Sequence, residues 1–194
     1  MNATILLTLA LAAPPADLAI VPQDAIAVVH IRGKDLWKSD LMIGLRTTLE
    51  KAGPKAIAAF DGGFYPTPST ISGFTGFILA PDEGQPIGPK FVGIIAFDTA
   101  FDVAKVRATY CDGESKAFPG KSIYPIKNEQ MCLYFPDDKH IVFSLEERLF
   151  TMLTRKPGKA NQAIAAAIER VAAGSTVVAA VDLEIGRASC RERV

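Results

Sequence analysis

The chain has 194 residues, 49% of them hydrophobic, with 21 basic against 21 acidic side chains. That balance is not the composition of a disordered tail, and it leaves no cationic excess to neutralise nucleic-acid phosphates. The 15 glycines and 13 prolines follow no three-residue period, which excludes collagen. No apolar run reaches the roughly 18 residues that a membrane-spanning helix needs.

The first residues, Met-Asn-Ala-Thr followed by the apolar run Ile5–Ala12, read as an export signal over residues 1–12, although the start carries no Lys or Arg. Ala10-Leu11-Ala12 supplies the small-x-small pattern of a cleavage site, and Pro14-Pro15 stop a helix from continuing. An extracytoplasmic location, periplasmic or secreted, is the expectation. No Cys stands at the boundary to carry a lipid.

Ala25–Ile31 is a β-branched run of strand length, ended by Gly33. Trp37, Leu41, Leu45, Leu49 and Ala52 then recur at helical steps, so one apolar stripe facing the core is expected, closed by Gly53-Pro54. Lys55–Phe60 adds another turn or two of helix. Asp61–Ser69 is loop chemistry, Ile71–Ala80 a strand weakened by Gly73 and Gly76, and Pro81–Pro89 a second turn-rich stretch. Phe91–Phe97 is the clearest buried strand. Thr99 reads as the N-cap of a helix over Phe101–Tyr110, with Asp102 in its first turn.

Lys121–Lys127 is a short strand in which Pro125 suggests an edge. Met131–Phe135 and His140–Phe143 flank the turn Pro136-Asp-Asp-Lys139 and form a hairpin. Ser144-Leu-Glu-Glu147 has the form of a capping box for a helix reaching about Arg155, which Pro157-Gly158 ends. Ile164, Ile168 and Val171 stripe a further helix, ended by Gly174, and Ser175–Leu183 is a last strand. Strands in adjacent pairs between helices predict an α+β fold, a mostly antiparallel sheet with helices packed on one face. Residues 17–184 are expected to be a single domain, C-terminally truncated.

Residues with chemical potential are few. No Walker loop, nucleophile elbow, dinucleotide fingerprint, zincin helix or C-x-x-C occurs. Gly73-x-x-Gly76 lacks the Lys of a phosphate loop. His30 has Asp24 and Asp35 nearby in sequence, and Asp137, Asp138 and His140 carry donors suited to a divalent ion. Adjacent turn residues point apart, however, so a solvated turn is the plainer expectation there. Glu146-Glu147 suits a helix start. Arg32, Lys34 and Lys38 surround Trp37, which is expected to be core. Cys111 and Cys132 are an even pair that an exported protein would use for a disulfide; two buried thiols are the alternative.

Several segments resemble a group of uncharacterised exported bacterial proteins known from planctomycetes. They are Leu18–Ala25 leading into Val28-Val-His-Ile31, Asp35-Leu-Trp-Lys-Ser39, Lys121-Ser-Ile-Tyr124 and Leu133–Phe143. The resemblance implies an exported α+β domain, longer than this chain, and names no catalytic residue. The tail Ile185–Val194 closely resembles the in-frame translation of a sequencing adapter and is expected to be non-native. Without its three arginines the chain has a slight acidic excess.

No catalytic, cofactor-binding or metal-ligating residue is therefore assigned. The expectation is a non-enzymatic binding or structural role outside the cytoplasm, with a protein or cell-envelope partner. The alternatives are a hydrolase whose site lies partly in a missing C-terminal region, and a redox protein using its two cysteines. This expectation treats polar residues as caps and turns. His30 or His140 brought together with acids, hydroxyls or thiols in a recessed, water-poor cleft would overturn that treatment.

Overall fold

The computed structural model describes residues 16–80, 90–118, 120–154, 161–172 and 175–181. The signal-like segment, the 81–89 turn, the Pro157-Gly158 break, Gly174 and the 185–194 tail lie outside the described residues. Eight strands are described: β1 Ala27–Arg32, β2 Ile71–Leu79, β3 Lys90–Phe97, β4 Lys116–Phe118, β5 Lys121–Pro125, β6 Met131–Tyr134, β7 His140–Leu145 and β8 Val177–Val181. They form one antiparallel sheet in the order β4-β5-β6-β7-β3-β2-β1-β8. The helices are α1 Gly33–Lys38, α2 Ile43–Ala52, α3 Pro54–Gly62, α4 Val103–Tyr110, α5 Glu146–Thr154 and α6 Gln162–Ala172. This is an α+β fold, as the strand pairing in the sequence implies. Among the described residues no helix is long and apolar enough to cross a membrane.

Period-two alternation sorts the side chains onto two faces. On one face Val28, Phe77, Val92, Ile94, Val142 and Cys132 form the main core. Leu18 and Val21 from the N-terminal segment, Leu149 of α5, and Ile164, Ala167 and Val171 of α6 close over it. Each fully buried Leu or Ile there is worth roughly 2 kcal/mol of transfer free energy. Helices α5 and α6 also carry the chain across the sheet from β7 to its far edge at β8. The second face holds a smaller cluster of Phe97, Leu133 and Ile141 under Val106 of α4. The helices over the main core thus share one face, and α4 packs on the other, because Val106 and Leu133 meet on the opposite side of the pleat from Cys132 and Val142.

Local details differ from the sequence reading in four places. Asp102, not Thr99, caps α4: its Oδ1 accepts the amides of Ala104 at 2.8 Å and Lys105 at 3.1 Å. Ser144 lies within β7 rather than opening a capping box, and its hydroxyl donates across the sheet to the Phe91 carbonyl at 2.5 Å. A three-residue strand, β4, lies outside β5, though Pro125 sits past its last pair, Lys116–Ile123. Finally, Trp37 and Leu41 are 39% and 84% exposed. Ser39 is extended (φ −69°, ψ 161°) and a 3-10 turn Asp40–Met42 follows, so the expected stripe is split between α1 and α2 and does not face a core.

Candidate functional site

The site begins with the register of β1 and β2. Val28 and His30 point to the main core face, and Thr75 stands directly opposite His30. The segment Ala16–Ile20 forms a 3-10 turn that inserts Leu18 into the core, which sets Asp17 over the same pair. Asp17 and His30 are each only 2% exposed, and Thr75 is fully buried. The Thr75 hydroxyl donates to Asp17 Oδ2 at 2.5 Å. Thr75 Oγ1 lies 2.7 Å from His30 Nδ1, and Asp17 Oδ2 lies 3.1 Å from the same nitrogen.

Proton counting orients the ring. Thr75 has one hydroxyl hydrogen, and it is committed to Asp17, so Oγ1 turns a lone pair toward Nδ1. Nδ1 must then carry the hydrogen, and in the neutral imidazole Nε2 is the acceptor. Burial alone would push the Asp17 carboxyl up. The hydrogen bonds from His30 and Thr75, with the attraction of a His30 charge and a local backbone contact, outweigh it and hold the carboxyl below its ordinary value. Nε2 is buried and has no hydrogen-bond partner among the described residues. Buried polar atoms without partners are rare, which marks this nitrogen.

His30 and Asp17 line a cavity of about 240 Å³ together with Arg32, Lys34, Asp35, Ser72, Gly73 and Ala96. Gly73 makes the room: a Cβ there would lie 3.2 Å from the Ile31 carbonyl oxygen and 3.5 Å from His30 Cε1. At the rim, Arg32 donates to the Val171 carbonyl at 2.5 Å and lies 3.8 Å from the Asp35 carboxylate. Lys34 pairs with Asp98 at 2.6 Å. The recess has an unpartnered imidazole nitrogen at its base, with Arg32 and Lys34, each paired with a carboxylate, at its mouth.

The acid beside His30 is thus Asp17, not the nearer-in-sequence Asp24 or Asp35. This buried gathering of histidine, acid and hydroxyl beside a cavity overturns the expectation that the polar residues serve only as caps and turns. His140 is held separately: both Asp137 oxygens lie 2.8 Å from its Nδ1, and Asp137 Oδ1 also accepts the Lys139 amide at 2.7 Å. Burial raises the Asp137 carboxyl, but the Lys139 amide and His140 more than offset it, leaving it below its ordinary value. Among the described residues no three His, Cys, Asp or Glu side chains gather as a metal site would require. Glu146 pairs with Lys116. Gly76 lies under the Phe91 ring, whose Cε2 would be 2.7 Å from a Cβ there, so Gly76 leaves room for the Phe91 and Val29 side chains of the flanking strands rather than forming a ligand loop with Gly73.

Of the two alternatives for Cys111 and Cys132, a bridge or two separate thiols, the structure has the second: both thiols are free. Cys132 belongs to the main core and Cys111 packs with the α4 cluster, so the two lie on opposite faces of the sheet. Sequence reading missed Asp17 and Thr75 altogether. Thr75 was recoverable only from strand register, and Asp17 only from the path of the N-terminal turn. No protein-family model, curated protein or solved structure matches the chain.

Proposed function

We propose that the chain is an extracytoplasmic, non-enzymatic binding protein whose cavity takes a small hydroxylated anion. One observation carries this reading: the buried, unpartnered Nε2 of His30 at the base of a recess rimmed by Arg32 and Lys34. With Nδ1 donating inward, Nε2 accepts from a ligand hydroxyl. Arg32 and Lys34 meet the ligand's carboxylate or phosphate, Arg32 with a planar fork suited to either. At about 240 Å³ the cavity is smaller than the ~300–1,000 Å³ of drug-sized sites, so the ligand has few heavy atoms. Location outside the cytoplasm rests on the signal-like residues 1–12 alone.

Calorimetric titration tests this with lactate, glycerate and glycerol 3-phosphate, against acetate and glycerol, which each lack one of the two groups. The hydroxylated anions are expected to bind, and His30→Phe to abolish the heat. Equal binding of acetate, or binding that survives His30→Phe, overturns the reading.

A second reading has a specific observation behind it. An imidazole that lines a cavity and whose Nδ1 is held by a buried acid is also a general-base arrangement. Thr75 is not its nucleophile, since that hydroxyl lies on the Nδ1 side with its hydrogen on Asp17. Water would be the attacking group. Hydrolysis of p-nitrophenyl acetate that disappears in His30→Gln would favour this enzyme over the binding protein. The free thiols on opposite faces give the redox alternative no support.

A further inference from the structure

The two edges of the sheet are unlike. The β4 edge is short, and it and the adjoining strand carry Lys116 and Lys121, charges of the kind that discourage strand addition. The β8 edge is Val-Val-Ala-Ala-Val, with neither charge nor proline, and β8 is the outermost strand among the described residues. Its backbone polarity can be read from the ladder. The Arg32 amide donates to the Thr176 carbonyl at 2.8 Å, so residues 176, 178 and 180 face β1. Val177, Ala179 and Val181 therefore turn their amides and carbonyls outward. Their side chains are exposed as well, Val177 by 51% and Val181 by 59%.

We infer that β8 is a self-association edge, pairing antiparallel with β8 of a second copy about a two-fold axis at Ala179. The strand suits a two-fold contact, which requires a surface complementary to itself. Centred on Ala179, the pairing sets Val177 opposite Val181 of the other copy, and each outward-facing residue exchanges both of its hydrogen bonds. No like charges meet, and the half-buried apolar surface of Ala27, Val29 and Ile31 continues across the axis. Because the β4 edge is guarded, the assembly closes as a dimer and does not grow into a fibre. Strand-edge pairing buries less than the roughly 1,600 Å² of a standard interface, so the dimer is weak and concentration-dependent.

Sedimentation velocity of the whole chain from micromolar to submillimolar concentration tests this. A reversible monomer–dimer equilibrium is expected. Ala179→Pro removes only outward-facing donors, and Ala179→Lys sets like charges opposite each other on the axis. Either variant, with its circular dichroism retained, is expected to raise the dimer's Kd by roughly 100-fold. Hydrogen exchange on the unmodified chain supplies a readout independent of variants: the amides of Val177, Ala179 and Val181 gain protection with concentration, and those of β4 do not. A monomer throughout the range, open-ended assemblies, a dimer that persists in a folded variant, or concentration-independent exchange at these three amides would each overturn the inference.

Discussion

Thr75 stands directly across the β1–β2 ladder from His30, with Oγ1 2.7 Å from Nδ1. The contact is fixed by strand register, and it leaves the hydroxyl hydrogen for Asp17. Thr75→Val keeps the shape and removes the relay. Asp17 and His30 then retain only their own 3.1 Å contact. The expected cost is about 1–2 kcal/mol, read as a lower urea midpoint with an unchanged slope. A variant as stable as the parent would show that the hydroxyl does not bridge the pair.

Asp17 gives acid sensitivity a definite sign. Its folded carboxyl titrates below the unfolded value of about 3.9, so the stability it contributes is complete above that value. That contribution is lost as pH falls below about 4 and through the folded value. Asp17→Asn is expected to lower stability at neutral pH by about 3 kcal/mol, as removal of one member of a buried pair does. It should also flatten the acid limb of the stability curve. Asp137 adds a smaller component of the same sign, since its carboxylate is about half exposed. Denaturation midpoints measured from pH 2 to 7 decide the matter; an acid limb equally steep in Asp17→Asn would remove Asp17 as its source.

Gly73 is the residue that holds the recess open. A methyl group there meets the Ile31 carbonyl oxygen at 3.2 Å, and backbone cannot swing aside as a side-chain tip can. It also presses on the imidazole at Cε1, 3.5 Å away. Gly73→Ala is expected to cost about 1–3 kcal/mol and to weaken any ligand bound beside His30. Thermal unfolding checks the first and calorimetry the second. Unchanged binding in a folded Gly73→Ala would place the ligand elsewhere.

The architecture was legible because local patterns and long-range pairing agree. Phe91–Phe97, the Met131–Phe143 hairpin and the Ile164–Val171 stripe each became the element their periodicity implied. The stripe through Trp37 and Leu41 misled because its spacing is helical across Ser39, where the backbone is extended. Spacing reports which side chains would align in one continuous helix; it does not report a break inside the run, or whether anything packs above. The site was harder still. His30 was visible, but its partners lie 13 residues before it and 45 after it, joined by a core-seeking Leu18 and a strand register. Neither leaves a mark in any local window. The proline and acids of the 136–139 turn acted as expected, because turn chemistry is local.

The cysteines offer a test of the sheet's two-sidedness. Burial pushes both thiols up, with Asp112 adding to this at Cys111 against Arg107 and Lys127, and Glu146 adding to it at Cys132 against Lys116. Thiolate is the reactive form, so both are expected to react slowly with iodoacetamide in the native protein. Cys111 is half-buried and Cys132 is in the core, so Cys111 is modified first, and Cys132 only as the protein opens. Both react at once in denaturant. Mild oxidation of the native chain is expected to yield no intramolecular bridge, because a disulfide cannot span from one face of the sheet to the other without moving backbone. Mass spectrometry of the alkylated chain, with and without oxidant, reads both outcomes. A native-state Cys111–Cys132 crosslink would mean that the α4 cluster and the main core do not lie on opposite faces.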